Sequence, residues 1–250
     1  MLIFFGIMEA RKILNYLDIG KGEPLIFLHG WGGSINSFLQ LATRLSAKYR
    51  CILVDFYGFG QTPLPDYPLN LQDYAEGVTQ VLTKLNITKA TLIAHSFGGR
   101  VAIFLGNQPY VKSIVLIDSA GLKPRRKVKF YIKIFASKIC KLFKIKANLG
   151  SCDYKKLSEI EKINFKNIVN NHQDKTIKTL KVKTLILWGK CDKDTPLFMA
   201  KKLQKTLNAN LFIFKKLGHF CYLYEETACI NLIDRFLRGD FDGVSGINYI

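Results

Sequence analysis

Ten residues, Thr91 to Arg100, constrain this chain more than any other stretch. A short apolar run, Leu92 and Ile93, stops at Ser96, with Ala94 two residues before it and Gly98 and Gly99 two and three after. A helix-like stretch from Val101 to Leu105 follows at once. The pattern is strand, sharp turn, helix, with Ser96 at the apex. Small residues suit such a turn because it brings positions 94 and 98 close together and leaves no room for a larger side chain. The hydroxyl is lifted clear of the sheet, beside a helix N-terminus. The common form of this turn is G-x-S-x-G; Ala94 replaces the first glycine, and alanine still fits. The same residues would also suit an exposed serine capping a helix, so the remaining segments have to discriminate.

Those segments alternate. Ile13–Asp18 reads as an early strand with one wet face, and Leu25–Leu28 as a continuously apolar parallel strand ending in His29-Gly30-Trp31-Gly32-Gly33. A helix is expected from about Ser34 to Ala47, a strand over Cys51–Val54, a helix over Leu71–Leu85 and a strand over Ser113–Ile117 that ends in Asp118. From about Gly121 to Leu180 the rhythm breaks into a stretch that reads as mostly helical. It then resumes with strand Thr184–Trp188, helix Leu197–Leu207, strand Leu211–Phe214 and helix Tyr224–Leu237, and Gly239–Ile250 reads as a loosely ordered tail. Five or six apolar strands alternating with amphipathic helices predict an α/β fold with a mostly parallel sheet. The expected division is a core of 1–120 with 181–250, interrupted by a helical insertion at 121–180.

Sites in such sheets lie beyond the C-terminal ends of the strands. That rule selects His29-Gly30-Trp31, Asp55, Ser96, Asp118, Asp192 and His219. A serine hydroxyl is a weak nucleophile unless a base takes its proton and a carboxylate steadies the base. Four histidines are available: His29, His95, His172 and His219. His95 adjoins Ser96 and points elsewhere in an elbow, His172 lies in a polar part of the insertion, and His29 ends an early strand. His219, in Leu217-Gly218-His219-Phe220, falls between the last strand and the last helix, where a loop can carry it over Ser96. Asp118, Asp192 and Asp194 are the carboxylate candidates. Asp194, nearer Pro196, suits capping of the following helix, which leaves Asp192 to face the histidine.

Taken together, these pieces resemble the α/β-hydrolase family, over nearly the whole chain: His29-Gly30-Trp31-Gly32 after an early strand, Asp55 through Gly58-Phe59-Gly60, Ala94-His95-Ser96-Phe97-Gly98-Gly99, Trp188-Gly189 with Asp192 and Pro196, and Gly218-His219-Phe220. The order Ser, Asp, His is the order that family uses. The resemblance implies a capped serine hydrolase of the esterase or lipase-like branch. It makes Ser96 the nucleophile, His219 the general base and Asp192 the acid, with Asp118 as a second choice because some members carry the acid one strand earlier. It also implies an oxyanion hole from the backbone N–H groups of Phe97 and Trp31, with His29, Gly30, Trp31, His95 and Phe220 lining the pocket. Asp55 and Gly58-Phe59-Gly60 read as structural. Serine at the elbow disfavours the aspartate-nucleophile branches that resemble epoxide hydrolases and haloalkane dehalogenases. The expected reaction is cleavage of a carboxylic ester or related acyl bond through an acyl-enzyme. Thioesterase, C–C bond hydrolase and amidase chemistry use the same residues, and a low-turnover ligand receptor is the alternative from another class.

Composition narrows the partners. No phosphate loop, dinucleotide fingerprint or metal-ligand spacing occurs, so no cofactor and no metal are expected. Six cysteines without a C-x-x-C pair in a chain of 250 residues suggest reduced thiols and a cytoplasmic setting. Met1–Ile7 is apolar but lacks the basic flank and cleavage site of a signal peptide, and Met8 is a second candidate start. Between Gly121 and Leu180, 16 Lys and Arg face 4 Asp and Glu, a net +12 of the chain's +18. Lys127–Lys146 places Val128, Tyr131, Phe135, Ile139 and Leu142 at helical spacing, with lysines between them. Such a helix serves as a cap with a solvated lysine face, as a contact for anionic membrane surface, or as a means of steering acidic substrates. Its aromatics lie on the apolar stripe, which argues against nucleic acid. The expected partner is a small acyl substrate; oligomeric state is left open.

Overall fold

The computed structural model describes residues 12–124, 157–243 and 245–250. Eight strands form one sheet in the order β1-β3-β2-β4-β5-β6-β7-β8. They are β1 Tyr16–Ile19, β2 Pro24–Leu28, β3 Arg50–Val54, β4 Ala90–His95, β5 Val111–Ile117, β6 Lys183–Gly189, β7 Asn210–Phe214 and β8 Gly246–Tyr249. Only β1 runs antiparallel to its neighbour; the other pairings are parallel. The helices are α1 Leu39–Leu45, α2 Leu71–Lys84, α3 Phe97–Leu105, α4 Glu159–Asn170, α5 Phe198–Leu207, the single turn α6 Cys221–Tyr224, and α7 Glu226–Arg238.

The two-residue alternation of the strands divides the core. Ile26, Ile52, Leu92, Ile114, Ile186 and Leu211 face one side, where residues of α2, α3 and α5 cover them. Leu25, Cys51, Ile93, Val115, Leu185 and Phe212 face the other, under residues of α1 and α7. Burial on both faces explains why the inner strands read as unbroken apolar runs. The central β4 lies between β2 and β5. The residues following β2, β4, β5, β6 and β7 therefore converge along one edge of the sheet.

Three expectations need correction. The tail is not loose throughout: Gly246–Tyr249 adds a parallel edge strand to β7. Its residues are intermediate or exposed, so it lacks the apolar run that marks a buried strand. The helix expected from Ser34 is split into a 3-10 turn, Ile35–Ser37, and α1, because Ser34 caps the short turn first. The side chain of Asp194 does not cap α5, whose N-terminus has no side-chain cap.

Of the 121–180 stretch, the described part contains α4, with a Ser158–Glu161 capping box, and a 3-10 turn at Thr176–Lys178. The proposed basic helix Lys127–Lys146 lies outside the described residues. Among the described residues, no helix is long and apolar enough to cross a membrane.

Candidate active site

Ser96 occupies the turn between β4 and α3 with φ 50 and ψ −111. This is strained backbone for a residue with a Cβ. The turn holds because its small neighbours fit where nothing larger would. A Cβ on Gly98 would lie 2.0 Å from the carbonyl oxygen of Leu28, and one on Gly99 would lie 2.0 Å from Ser119 Oγ. The closest crowding at Gly98 thus comes from the end of β2. Gly98 N–H donates to His29 O at 3.1 Å, and Gly99 N–H to Ser96 O at 3.0 Å.

His219 reaches Ser96 from the loop after β7. Its Nε2 lies 2.9 Å from Ser96 Oγ, and its Nδ1 lies 2.8 Å from Asp192 Oδ2. The carboxylate accepts the Nδ1 proton, which leaves Nε2 free to accept from the hydroxyl. Asp192 sits in the turn after β6. Its Oδ1 accepts the backbone N–H groups of Asp194 and Thr195 at 2.8 and 2.9 Å. Burial opposes ionisation of Asp192, but the bonds from His219 and Thr195 outweigh it and hold the carboxyl below its ordinary range. Burial likewise opposes a charged His219, and again the Asp192 bond and charge outweigh it, with smaller help from Asp118 and Asp194, so its pKa is raised.

Asp118, the second choice for the acid, follows β5, and its carboxylate bonds to backbone amides, whereas the histidine ring bonds to Asp192. Asp118 Oδ1 accepts Gly189 N–H at 2.7 Å and its Oδ2 accepts Cys221 N–H at 3.3 Å. Burial, reinforced by the nearby charge of Asp192, pushes its pKa up to about 7 against these bonds.

The other selected residues divide into lining and support. Gly30, Trp31, His95 and Phe220 line a cavity of about 240 Å³ that also exposes Ser96 and His219. His95 Nε2–H donates to His219 O at 2.7 Å; burial, then the neighbouring His219, lowers its pKa to about 3, so it is neutral. His29 does not line this cavity. It is buried beneath the loop, with Nδ1–H donating to Gly30 O at 2.7 Å and Nε2 accepting Phe56 N–H at 3.2 Å. Burial lowers its pKa, consistent with that neutral tautomer. Asp55 organises the neighbouring loops, accepting from Asn15 Nδ2, Ile35 N–H and Gln61 N–H.

Thr195 was not singled out by the sequence, yet its Oγ1 lies 2.5 Å from Asp192 Oδ2 and 3.0 Å from Asp118 O. The readable signal was its position: an aspartate followed two and three residues later by amides it can accept is a recurrent local motif, and Thr195 fills the third place.

Asp192, Asp194 and His219 bring ligand-type atoms within 4.8 Å of one another. The donor set is poorly suited to a cation, because Asp192 Oδ2 and His219 Nδ1 are bonded to each other and Asp192 Oδ1 is engaged by two amides. A larger hollow of about 330 Å³ lies at the opposite ends of β6 and β7, beside Lys183 and Phe236. Lys183 is paired there with Asp242, and no base–nucleophile pair lines the hollow.

A family model described as alpha/beta hydrolase fold matches residues 23–138, and one described as TAP-like protein matches residues 152–240. The chain is 27% identical over 268 residues to 2-hydroxy-6-oxo-6-phenylhexa-2,4-dienoate hydrolase of Burkholderia cepacia, covering 93% of each protein. It is 36% identical over 115 residues to the dihydrolipoyllysine-residue acetyltransferase component of an acetoin cleaving system from Pseudomonas putida, and there it spans 44% of its own length and 31% of the relative's. An esterase from Exiguobacterium antarcticum superimposes with a TM-score of 0.73 at 23% identity, over 90% of this chain and 95% of that one. The sheet order, the strained serine turn and these matches agree, and the chain belongs to the alpha/beta hydrolase family.

Proposed function

We propose that the protein is a serine hydrolase in which Ser96 attacks the carbonyl carbon of a carboxylic ester or related acyl substrate. The observation that carries this reading is the continuous bonded path Ser96 Oγ–His219–Asp192, with distances of 2.9 and 2.8 Å. His219 Nε2 takes the hydroxyl proton as Oγ bonds to carbon, then returns it to the leaving oxygen as the tetrahedral intermediate collapses to acyl-enzyme. A water activated by the same nitrogen releases the acid and restores Ser96. Asp192 holds the Nδ1–H tautomer and stabilises the imidazolium formed between the two transfers.

The backbone N–H groups of Trp31 and Phe97 serve as the oxyanion hole. Gly98, Gly99 and Gly33 use their amides internally, whereas those of Trp31 and Phe97 have no acceptor among the described residues. In support, the two side chains meet with ring centroids 5.4 Å apart. Donors aimed at a developing oxyanion contribute about 3 kcal/mol each. The described part of the 121–180 stretch, through α4, covers part of this site. In support, Phe165 of α4 packs on Trp31 at 5.4 Å, and Asn164 Oδ1 accepts Leu69 N–H at 2.7 Å.

C–C bond hydrolysis of a vinylogous diketone is the second reading. The similarity to the dienoate hydrolase, over nearly both full lengths, favours it. Rates on p-nitrophenyl esters of graded acyl length, set beside a vinylogous 1,5-diketone acid, separate the two, with Ser96→Ala as control. Faster turnover of an ester supports the first reading. Turnover confined to the diketone selects the second, and unchanged turnover in Ser96→Ala overturns both.

A further inference from the structure

We propose that Asp118 is a positioning residue that clamps the loop bearing Asp192 to the loop bearing His219; this rests on the reading of Ser96, His219 and Asp192 as the reacting set. Asp118 is completely buried, and its backbone has φ 43, a left-handed conformation that is costly for a residue other than glycine, asparagine or, to a lesser degree, aspartate. Among the described residues no lysine or arginine pairs with it. A buried carboxylate without a cation is expensive, so its place calls for a reason other than stability.

The reason lies in what it holds. Oδ1 accepts Gly189 N–H, three residues before Asp192, and Oδ2 accepts Cys221 N–H, two residues after His219. Its carbonyl oxygen lies 3.0 Å from Thr195 Oγ1, whose single proton goes to Asp192 Oδ2 at 2.5 Å. Its own N–H donates to Leu187 O at 3.0 Å, fixing it to β6. The loops also touch directly: a Cβ on Gly189 would lie 2.1 Å from Gly218 O, and Cys191 N–H donates to Leu217 O at 2.8 Å. Those contacts set how closely the loops approach. Asp118, gripping one amide on each, sets their register, and hence the meeting of Asp192 Oδ2 with His219 Nδ1. An amide at this position would be a poor substitute, since only one of its two heavy atoms accepts and its NH2 would face the N–H of the other loop.

The test is a mutant cycle with two substitutions at Asp118. Asp118→Asn keeps the shape and removes one acceptor. Asp118→Gly removes the side chain and suits the left-handed backbone, so it guards against misfolding. Each is made alone and with Asp192→Asn, and kcat and KM are measured on a soluble p-nitrophenyl ester, normalised to sites titrated with a fluorophosphonate. Misplacement of reacting groups by about 1 Å costs on the order of 100-fold, so each single substitution should lower kcat by roughly 10- to 100-fold with KM nearly unchanged. In the Asp192→Asn background the same substitutions should cost less than about 3-fold, because the pair they position is already broken. Equal losses in both backgrounds, no loss of kcat in either, or failure of both variants to fold would overturn the proposal. Turnover persisting in Ser96→Ala would instead overturn the underlying reading, so the two failures are distinguishable.

Discussion

The hydroxyl of Thr195 and the imidazole of His219 converge on a single oxygen, Asp192 Oδ2, at 2.5 and 2.8 Å. With Oδ1 taken by two backbone amides, this carboxylate cannot rotate without losing several bonds. Thr195→Val keeps the shape of the side chain and the backbone donor while deleting the hydroxyl. A hydrogen bond to a charged group contributes roughly 1.5–3 kcal/mol. We expect kcat to fall by about 10-fold with KM little changed, in steady-state assays on a soluble ester. Wild-type kcat in Thr195→Val would show that the backbone amides alone hold Asp192.

The two aspartates of this turn should behave very differently. Asp192→Asn presents an amide to Nδ1 and favours the wrong tautomer, so kcat should drop by about 10⁴-fold. Asp194 offers its backbone N–H to Asp192, and its side chain does not cap α5. Asp194→Asn should therefore stay within a few-fold of wild-type activity, and within about 0.5 kcal/mol in stability by urea denaturation. A larger effect of Asp194→Asn on kcat would reverse the assignment.

Activity should vary with pH in a direction fixed by His219. The ring must be neutral to accept the Ser96 proton, and its folded pKa is raised above 6.5 by Asp192, with smaller contributions from Asp118 and Asp194. Activity is thus lost as pH falls through a midpoint above 6.5. His95, the other ring against it, stays neutral across this range, whereas Asp118, at about 7, titrates within it. Asp192→Asn removes the main support and should move the acid limb of the kcat/KM profile downward. An unmoved or raised midpoint would contradict this account of the shift.

Gly98 tests the turn itself. Its added Cβ would sit 2.0 Å from the backbone oxygen of Leu28, which cannot yield without moving β2. Gly98→Ala should lose about 1–3 kcal/mol or more in urea denaturation, as overpacked sites do, and should reduce activity by displacing Ser96. Gly32, with open space around its missing Cβ but φ 78, should cost less on substitution by Asn, which tolerates that backbone.

Much of this was readable before any coordinates. Apolar runs such as Leu25–Leu28 and Leu185–Trp188 are signatures of strands buried on both faces, and Ser96 between small residues marks the turn. What escaped depended on tertiary contact. Gly246–Tyr249 is a strand only because β7 offers it an edge. The relative roles of Asp192 and Asp194 are set by loop dihedrals that their spacing does not encode. The family resemblance puts His29 in the pocket, yet its ring turns inward to bond Phe56 N–H and the carbonyl of Gly30. Asp118 has the residue type of a catalytic acid, and only its two backbone-amide partners, Gly189 and Cys221, set it apart from Asp192, which bonds to the His219 ring.

The most direct test of the central claim is covalent labelling of the nucleophile. The protein is incubated with a fluorophosphonate, digested, and the modified peptide identified by mass spectrometry while residual esterase activity is followed. The account requires one adduct per chain, carried by Ser96, with activity falling in proportion and no labelling in Ser96→Ala or at low pH where His219 is protonated. Full activity in the unlabelled Ser96→Ala variant, or complete inactivation by an adduct on another residue, would contradict it.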